Sequence, residues 1–218
     1  VAWTVTRTDG TTLEITRPTY DGEFLRSVGA DAPSVRAEHV WRLERDGAAV
    51  RERGENRVRL ADGGRLVTGE VAFRDDRVLA RWELADRELA LDRNQVLGWM
   101  QGGARDHAAV FAGETDSLDE LDKLLAWGDE GELQVVGCRV LAADEDEVAL
   151  IYRDQSRTMG RAKVYGVLLA GDKLAPAPPV ATLSFDDGSR IDVVGLTMQE
   201  DGLEAVRYDG ETFVLPLD

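Results

Sequence analysis

The sequence is short of the residues that build reactive centres. Of its 218 residues one is cysteine, Cys138, and two are histidine, His39 and His107. A single cysteine excludes an internal disulfide and any metal cage made of several cysteines. The two histidines lie far apart, and neither has a second His or Cys at ligand spacing. A surface or turn role is favoured for both over metal binding, and neither metal nor cofactor is expected. No apolar run approaches the roughly 18 residues of a membrane-spanning helix, the longest lying near Val164 to Gly171, so membrane insertion is not expected. Basic residues are outnumbered, 26 Lys and Arg against 42 Asp and Glu, for a net charge of −16. That surplus repels phosphate backbones, which excludes nucleic acid and anionic membrane as expected partners.

What remains is the composition of a folded domain. Hydrophobic residues make up 43% of the chain, enough for a core, and the 31% that are charged carry both signs interleaved with Val, Leu and Ile, which argues against disorder. The length suits one large or two small domains. The chain begins at Val1 without an initiator Met. Removal of a leader or continuation upstream would each account for this, and an extracytoplasmic location, secreted or in the cell envelope, is expected.

Strand signals dominate. Asp-Gly occurs at Asp9, Asp21, Asp46, Asp62, Asp187, Asp201 and Asp209, a dipeptide that supplies the positive φ of tight hairpins. Residues 191–200, 203–208 and 211–217, divided by two of these turns, predict a three-stranded antiparallel meander with Leu203, Ala205 and Arg207 on one face. A template also recurs. Val58 to Leu66 aligns with Leu183 to Ile191 through Asp62-Gly63 and Asp187-Gly188, and Val5, Asp9, Gly10 and Leu13 align with Val58, Asp62, Gly63 and Leu66. Met159, Arg161, Val164 and Gly166 likewise match Leu91, Arg93, Val96 and Gly98. The expected organisation is a β unit over 1–52, a second over 53–102, a linker with a short helix over 103–130, a third β unit over 131–175 and a fourth over 176–218 that lacks its closing strand. Each unit would hold five short strands, with Val67, Val71 and Phe73 sharing a face of a long strand that bends at Gly69. The helix is expected from Ser117 to Gly128. Ser117 and Glu120 stand at capping-box spacing, and Leu118, Leu121, Leu124 and Leu125 fall on one helical face.

The run Val-x-Leu-x-Asp-Gly-x-x-Leu from Val58, followed by Gly69, an acidic corner at Asp75-Asp76 and a closing Val96-x-Gly98, resembles the small Sm-like or SH3-like β-barrel over residues 57–100. The nucleic-acid-binding branch of that family has an Asn after the acidic corner and an Arg-Gly in the closing strand. Here Arg77-Val78-Leu79 and Leu97-Gly98 stand instead, so RNA binding is not implied. Tandem copies of such a unit also resemble repeat regions of secreted bacterial proteins that carry a carbohydrate-binding-type module, which implies an envelope or extracellular setting.

Candidate chemistry is sparse. Ser27, Ser34, Ser117, Ser156, Ser184 and Ser189 all lack a Gly-x-Ser-x-Gly context. The acidic clusters Asp144-Glu145-Asp146-Glu147 and Asp186-Asp187-Gly188 read as solvated turns, and neither has the alternating donors of an EF-hand. Trp3, Trp41, Trp82, Trp99 and Trp127 would form a sugar-stacking platform if exposed in a row, but Trp82 and Trp99 read as core. Cys138, in a strand with only Arg139 as a basic neighbour, reads as an inert thiol. The expectation is an all-β protein of tandem five-stranded SH3/Sm-like units, with a four-bladed β-propeller or a pair of β-sandwiches as alternatives. Its expected role is a non-catalytic structural or interaction module with no catalytic, cofactor or metal residues. Its partner would be a protein or a second copy docked on an unpaired edge strand, with a glycan as a further partner. A carbohydrate-binding module and a carboxylate-based glycoside hydrolase are the alternatives.

Overall fold

A computed structural model describes the chain except residues 1, 17–18, 21–22, 28–32, 46–55, 83–86, 102–107, 119, 176, 186, 200–201 and 216–218. The chain divides into two compact units, Val1–Arg51 with Pro176–Asp218, and Glu52–Ala175. Both are built from antiparallel strands, and the fold is all-β, with one α-helix among the described residues.

The first unit starts with β1 (Ala2–Arg7), β2 (Thr12–Thr16), β3 (Thr19–Tyr20), β4 (Phe24–Arg26), β5 (Ser34–Arg36) and β6 (Val40–Arg45). Strands β2, β1 and β6 form one ladder and β3, β4 and β5 another. Val5, Ile15, Leu25 and Val35 are buried together, with Leu13 against them. This is the alternation expected of half-buried strands.

In the second unit come β7 (Asn56–Leu60), β8 (Arg65–Thr68), β9 (Val71–Arg74), β10 (Arg77–Trp82), β11 (Arg87–Asp92), a 3-10 turn at Arg93–Gln95 and β12 (Val96–Gln101). The helix α1 (Ala108–Asp116) follows, then β13 (Asp122–Trp127), β14 (Leu133–Ala143), β15 (Glu147–Tyr152), β16 (Gln155–Gly160), a 3-10 turn at Arg161–Lys163 and β17 (Val164–Leu168). The ladder runs β11, β10, β9, β14, β13, β17, β12, β7, β8, and β15 joins β14 to β16. Two strands turn corners within it. The first half of β14 pairs with β13 and the second half, from Arg139 on and through a bulge between Val140 and Ala142, pairs with β15. Strands β8 and β9 are likewise one path bent at Gly69-Glu70, where Gly69 N–H donates to the Arg81 carbonyl at 3.1 Å. Bends and bulges of this kind let one strand serve two sheets. Val58, Leu60, Phe73, Val78, Ala80, Trp82, Trp99, Leu124, Val140 and Val167 lose almost all exposure between them. Past that core, on the outer face of β12, β13 and β17, α1 lays Phe111 against Met100, Leu125, Tyr165 and Leu168. A Cβ on Gly166 would stand 2.9 Å from the Trp99 carbonyl and 3.1 Å from the Phe111 ring, so the residue must be glycine for the helix to seat.

The first unit is completed by β18 (Ala181–Ser184), β19 (Arg190–Val193), β20 (Gly195–Met198), β21 (Leu203–Val206) and β22 (Thr212–Leu215). Strands β20, β21 and β22 form the predicted meander, with Leu203, Ala205 and Arg207 buried on a shared face. The single strand expected over 191–200 is divided between β19 and β20 at Val194. The closing strand that the fourth unit is expected to lack would follow Leu215, where residues 216–218 lie outside the described ones.

The helix expected over 117–128 is a strand for half its length. Helix α1 ends at Asp116, and Asp122–Trp127 is β13. Leu124 and Leu125 are both buried, one toward the core and one under α1. A strand covered on both faces loses its alternation, and the remaining leucine spacing imitates a helix. Among the described residues no sheet closes into a full ring of paired strands, so the sheets are open.

Four Asp-Gly turns share one hydrogen-bond pattern. In the turns at Asp9, Asp62, Asp187 and Asp209, the residue two before the Asp exchanges bonds with the residue two after it and with the Gly: Arg7 N–H to Thr11 O at 2.8 Å and Gly10 N–H to Arg7 O at 2.9 Å in the first, Arg207 N–H to Glu211 O and Gly210 N–H to Arg207 O, both at 2.9 Å, in the last. In each, the Asp Oδ1 accepts the N–H two residues on, at 2.7 to 3.0 Å. Gly10, Gly63, Gly188 and Gly210 all have φ between 83° and 90°, where glycine alone escapes a steric penalty. The turns expected at Asp21, Asp46 and Asp201 lie outside the described residues.

Candidate functional site

A group of charged side chains in the second unit forms around Asp122, the first residue of β13. Its side chain is 1% exposed. Oδ1 accepts the backbone N–H of Ala170 at 2.7 Å and a short bond from the Arg93 guanidinium, and Oδ2 accepts the N–H of Val140 at 2.7 Å. One carboxylate therefore joins β13, β14, the exit of β17 and the 3-10 turn before β12. Arg93 lies over the Phe73 ring at 5.5 Å and reaches the Ala170 carbonyl with Nε at 3.4 Å. Lys173 adds a second cation, its Nζ donating to the Arg93 carbonyl at 3.2 Å. Burial, with the Arg93 charge beside it, pushes the Lys173 ammonium down to about 8 against a pull upward from Asp122. Cys138, 2% exposed, is pushed the other way, up to about 11, by burial and by Asp122. The residues after β17 form a strap over the group: Leu169 N–H donates to Leu97 O at 2.9 Å and Leu174 N–H to Asn94 O at 3.0 Å.

Arg161 occupies the equivalent position in the 3-10 turn before β17. It is 9% exposed and lies over the Trp99 ring at 5.7 Å. Its guanidinium donates to Asn56 Oδ1 at 3.3 Å, its carbonyl accepts from Gln101 Nε2 at 3.3 Å, and its N–H donates to the Asp146 carbonyl at 2.8 Å. In the first unit Arg207, 2% exposed, pairs with Asp209 at 3.2 Å and Glu211 at 3.6 Å. Charges out of water need such partners, and each of these holds turns and strands in place.

The edge strand β16 is the other candidate. Glu147 to Tyr152 pair with Gly160 to Gln155 across a two-residue turn, Arg153-Asp154, in which both residues have positive φ. Among the described residues β15 is its one ladder neighbour, and every side chain of β16 except the half-buried Met159 is exposed.

The residues singled out from the sequence do not converge. His39 is exposed, 3.6 Å from Glu38, and His107 lies outside the described residues. Trp82 and Trp99 are fully buried and present no stacking face; Trp127 meets Tyr165 edge-on at 5.7 Å; the side chains of Trp3 and Trp41 lie outside those described. Ser27 Oγ closes on the backbone of Thr16, and Ser189 Oγ donates to Asp187 at 3.0 Å. The acidic corner is a turn: Asp144 Oδ1 accepts the N–H of Glu147 and Asp146, both at 2.9 Å, which holds its carboxyl below the usual carboxylate range. Among the described residues no three His, Cys, Asp or Glu side chains gather as a metal site. In comparisons with known proteins, no family model, no curated protein and no solved structure matches this chain. Sequence reasoning missed Asp122 and Lys173. The available signal was an acid opening an apolar strand, Asp122-Lys123-Leu124-Leu125-Ala126-Trp127, and it was absorbed into a helical pattern.

Proposed function

We propose that this chain is a non-catalytic structural or interaction module, made of small five-stranded units of SH3-like strand order, which self-associates through an exposed edge strand in an extracytoplasmic setting. The observation that carries the reading is β16, a six-residue edge whose side chains are nearly all in solvent. It contains neither Pro nor Lys, the residues that commonly guard such edges against pairing. The strand order supports the unit plan. In the stretch 56–101 the closing strand β12 pairs back on β7, in 122–168 β17 pairs back on β13, and in 2–45 β6 pairs back on β1. A 3-10 turn precedes each of these closing strands, which begin at Val96, Val164 and Val40. The shared Asp-Gly turns support a copied template in the same way. The buried Asp122 carboxylate is occupied in holding backbone, which fits a scaffold. The extracytoplasmic setting rests on the resemblance to repeat regions of secreted proteins.

The test is a proline placed to block the edge alone. In a hairpin with a two-residue turn the flanking pair, Tyr152 and Gln155, exchanges both hydrogen bonds, and bonded pairs then alternate. The N–H groups of Ser156, Thr158 and Gly160 therefore point outward. Thr158→Pro removes one of these without touching the ladder to β15. Sedimentation of the wild-type protein across a concentration series should show association that T158P abolishes, while both keep the same thermal midpoint. A wild-type chain that sediments as a monomer at several hundred micromolar overturns the reading.

A further inference from the structure

Arg93 and Arg207 each have a carboxylate, Asp122 for the first and Asp209 with Glu211 for the second. Arg161, 9% exposed, differs: among the described residues no acidic side chain stands within ion-pairing distance of its guanidinium. Asp144, the acid whose field reaches it, has Oδ1 committed to the N–H groups of Asp146 and Glu147. A buried charge without a counter-charge is costly.

The ladder relates the two sites in the second unit. Strands β12 and β17 pair with each other through Trp99 and Val167, and each has an outer neighbour, β7 beside β12 and β13 beside β17. Arg93, before β12, reaches the first residue of β13, and Arg161, before β17, reaches the first residue of β7. The former is Asp122. The latter is Asn56, an uncharged amide whose Oδ1 accepts from the Arg161 guanidinium at 3.3 Å while its Nδ2 donates to the Gly69 carbonyl. Thr68 stands directly opposite Asn56 on one side and Gln101 on the other, and Trp99, two residues before Gln101, shares their face. Thr68 and Trp99 are fully buried. Thr68 Oγ1, Trp99 Nε1 and Arg161 Nη1 have no hydrogen-bond partner, and buried polar atoms of this kind call for one.

We propose that Arg161, Trp99 and Thr68 bind a small carboxylate, an anion of formate or acetate size. This goes beyond the scaffold reading and does not depend on it. The donors correspond to those of the related site: Asp122 accepts from one guanidinium and two backbone N–H groups, and around Arg161 stand one guanidinium, one indole N–H and one hydroxyl. The two oxygens of a carboxylate accept all three, and the bond from the guanidinium is charge-assisted. The ligand supplies the negative charge that Asn56 does not. Because none of the three donor residues is more than 9% exposed, only a few atoms can be enclosed among them.

At the ceiling of affinity per atom for very small ligands, the three heavy atoms of formate set a Kd no tighter than about 0.5 mM. The experiment follows the indole N–H resonances of the isotopically labelled wild-type protein in three arms, sodium formate, sodium acetate and sodium chloride, each taken from about 0.1 to about 100 mM to bracket that value. The Trp99 resonance should move downfield along a single-site curve that saturates with a carboxylate, while that of buried Trp82 stays in place; saturation in either carboxylate arm supports the site and sets the size it takes. Asn56→Asp, which puts a carboxylate where the related site has Asp122, should weaken binding about tenfold or more, the value of one hydrogen bond to a charged group. A Trp99 resonance that saturates with neither carboxylate, or that chloride moves equally, overturns the proposal, as does N56D binding with wild-type affinity. The titration of the wild-type chain decides the matter even if N56D does not fold.

Discussion

Replacing Asp122 tests the energetic centre of the second unit. The carboxylate is 1% exposed and accepts two backbone N–H groups at 2.7 Å besides pairing with Arg93, whose side chain is 25% exposed. Asp122→Ala orphans both N–H groups and leaves a mostly covered guanidinium without its anion. Breaking a buried pair from one side costs about 3–5 kcal/mol. Asp122→Asn keeps one acceptor oxygen, but its NH2 must face a donor, either the N–H of Val140 or that of Ala170, and a cost of about 3 kcal/mol is expected. For a chain of this length 1 kcal/mol corresponds to about 2–4 °C, so the thermal midpoint should fall by about 10 °C in D122N and further in D122A. Asp92 is the control. It sits in the same region, pairs with Arg77 and is 57% exposed, and an exposed pair contributes at most about 1 kcal/mol. The assay is urea unfolding followed by tryptophan fluorescence, with Trp82 and Trp99 buried in the same unit as reporters. If D122N lies within 1 kcal/mol of the wild type, roughly the value of a single exposed interaction, the view of Asp122 as the joint between four elements is refuted.

Two further outcomes can be measured on the same unit. The Cys138 thiol is held neutral by burial, its titration raised from 9.0 to about 11, so below pH 9 it is protonated both folded and unfolded, and between 9 and 11 the unfolded state ionises first. Stability should therefore fall across that window, the fall should be smaller in Cys138→Ala, and native Cys138 should resist alkylation at pH 8 until urea is added; fast alkylation of the folded protein would contradict its burial. Gly166→Ala drives a Cβ into the Trp99 carbonyl and the Phe111 ring and should cost about 1–3 kcal/mol with faster hydrogen exchange in α1, whereas Gly113→Ala, on the same helix with nothing within 4 Å, should stabilise by up to about 1 kcal/mol.

Legibility in the sequence followed the range of the interaction. The turns at Asp9, Asp62, Asp187 and Asp209 are local chemistry: an Asp that caps its own turn and a Gly that takes positive φ, both readable within five residues. The hairpin of β21 and β22 inherits its register from the turn at Asp209. The alignment of Arg93 with Arg161 was also readable, and each opens a 3-10 turn before a buried valine. The helix was misplaced because a strand buried on both faces carries no alternation, and the leucines of 118–125 suited either reading.

The sequence by itself determined that the chain is built from short antiparallel strands joined by Asp-Gly turns, because backbone dihedral preference and side-chain alternation act between neighbours. Only the tertiary structure decided where β14 leaves one sheet for the other, that Asp122 is buried among two backbone N–H groups and an arginine, and that Lys173 lies on the Arg93 carbonyl. The strap, the 3-10 turn and the start of β13 are separated by tens of residues along the chain. Burial and electrostatic neighbourhood are properties of that convergence and exist only once the strands have packed around it.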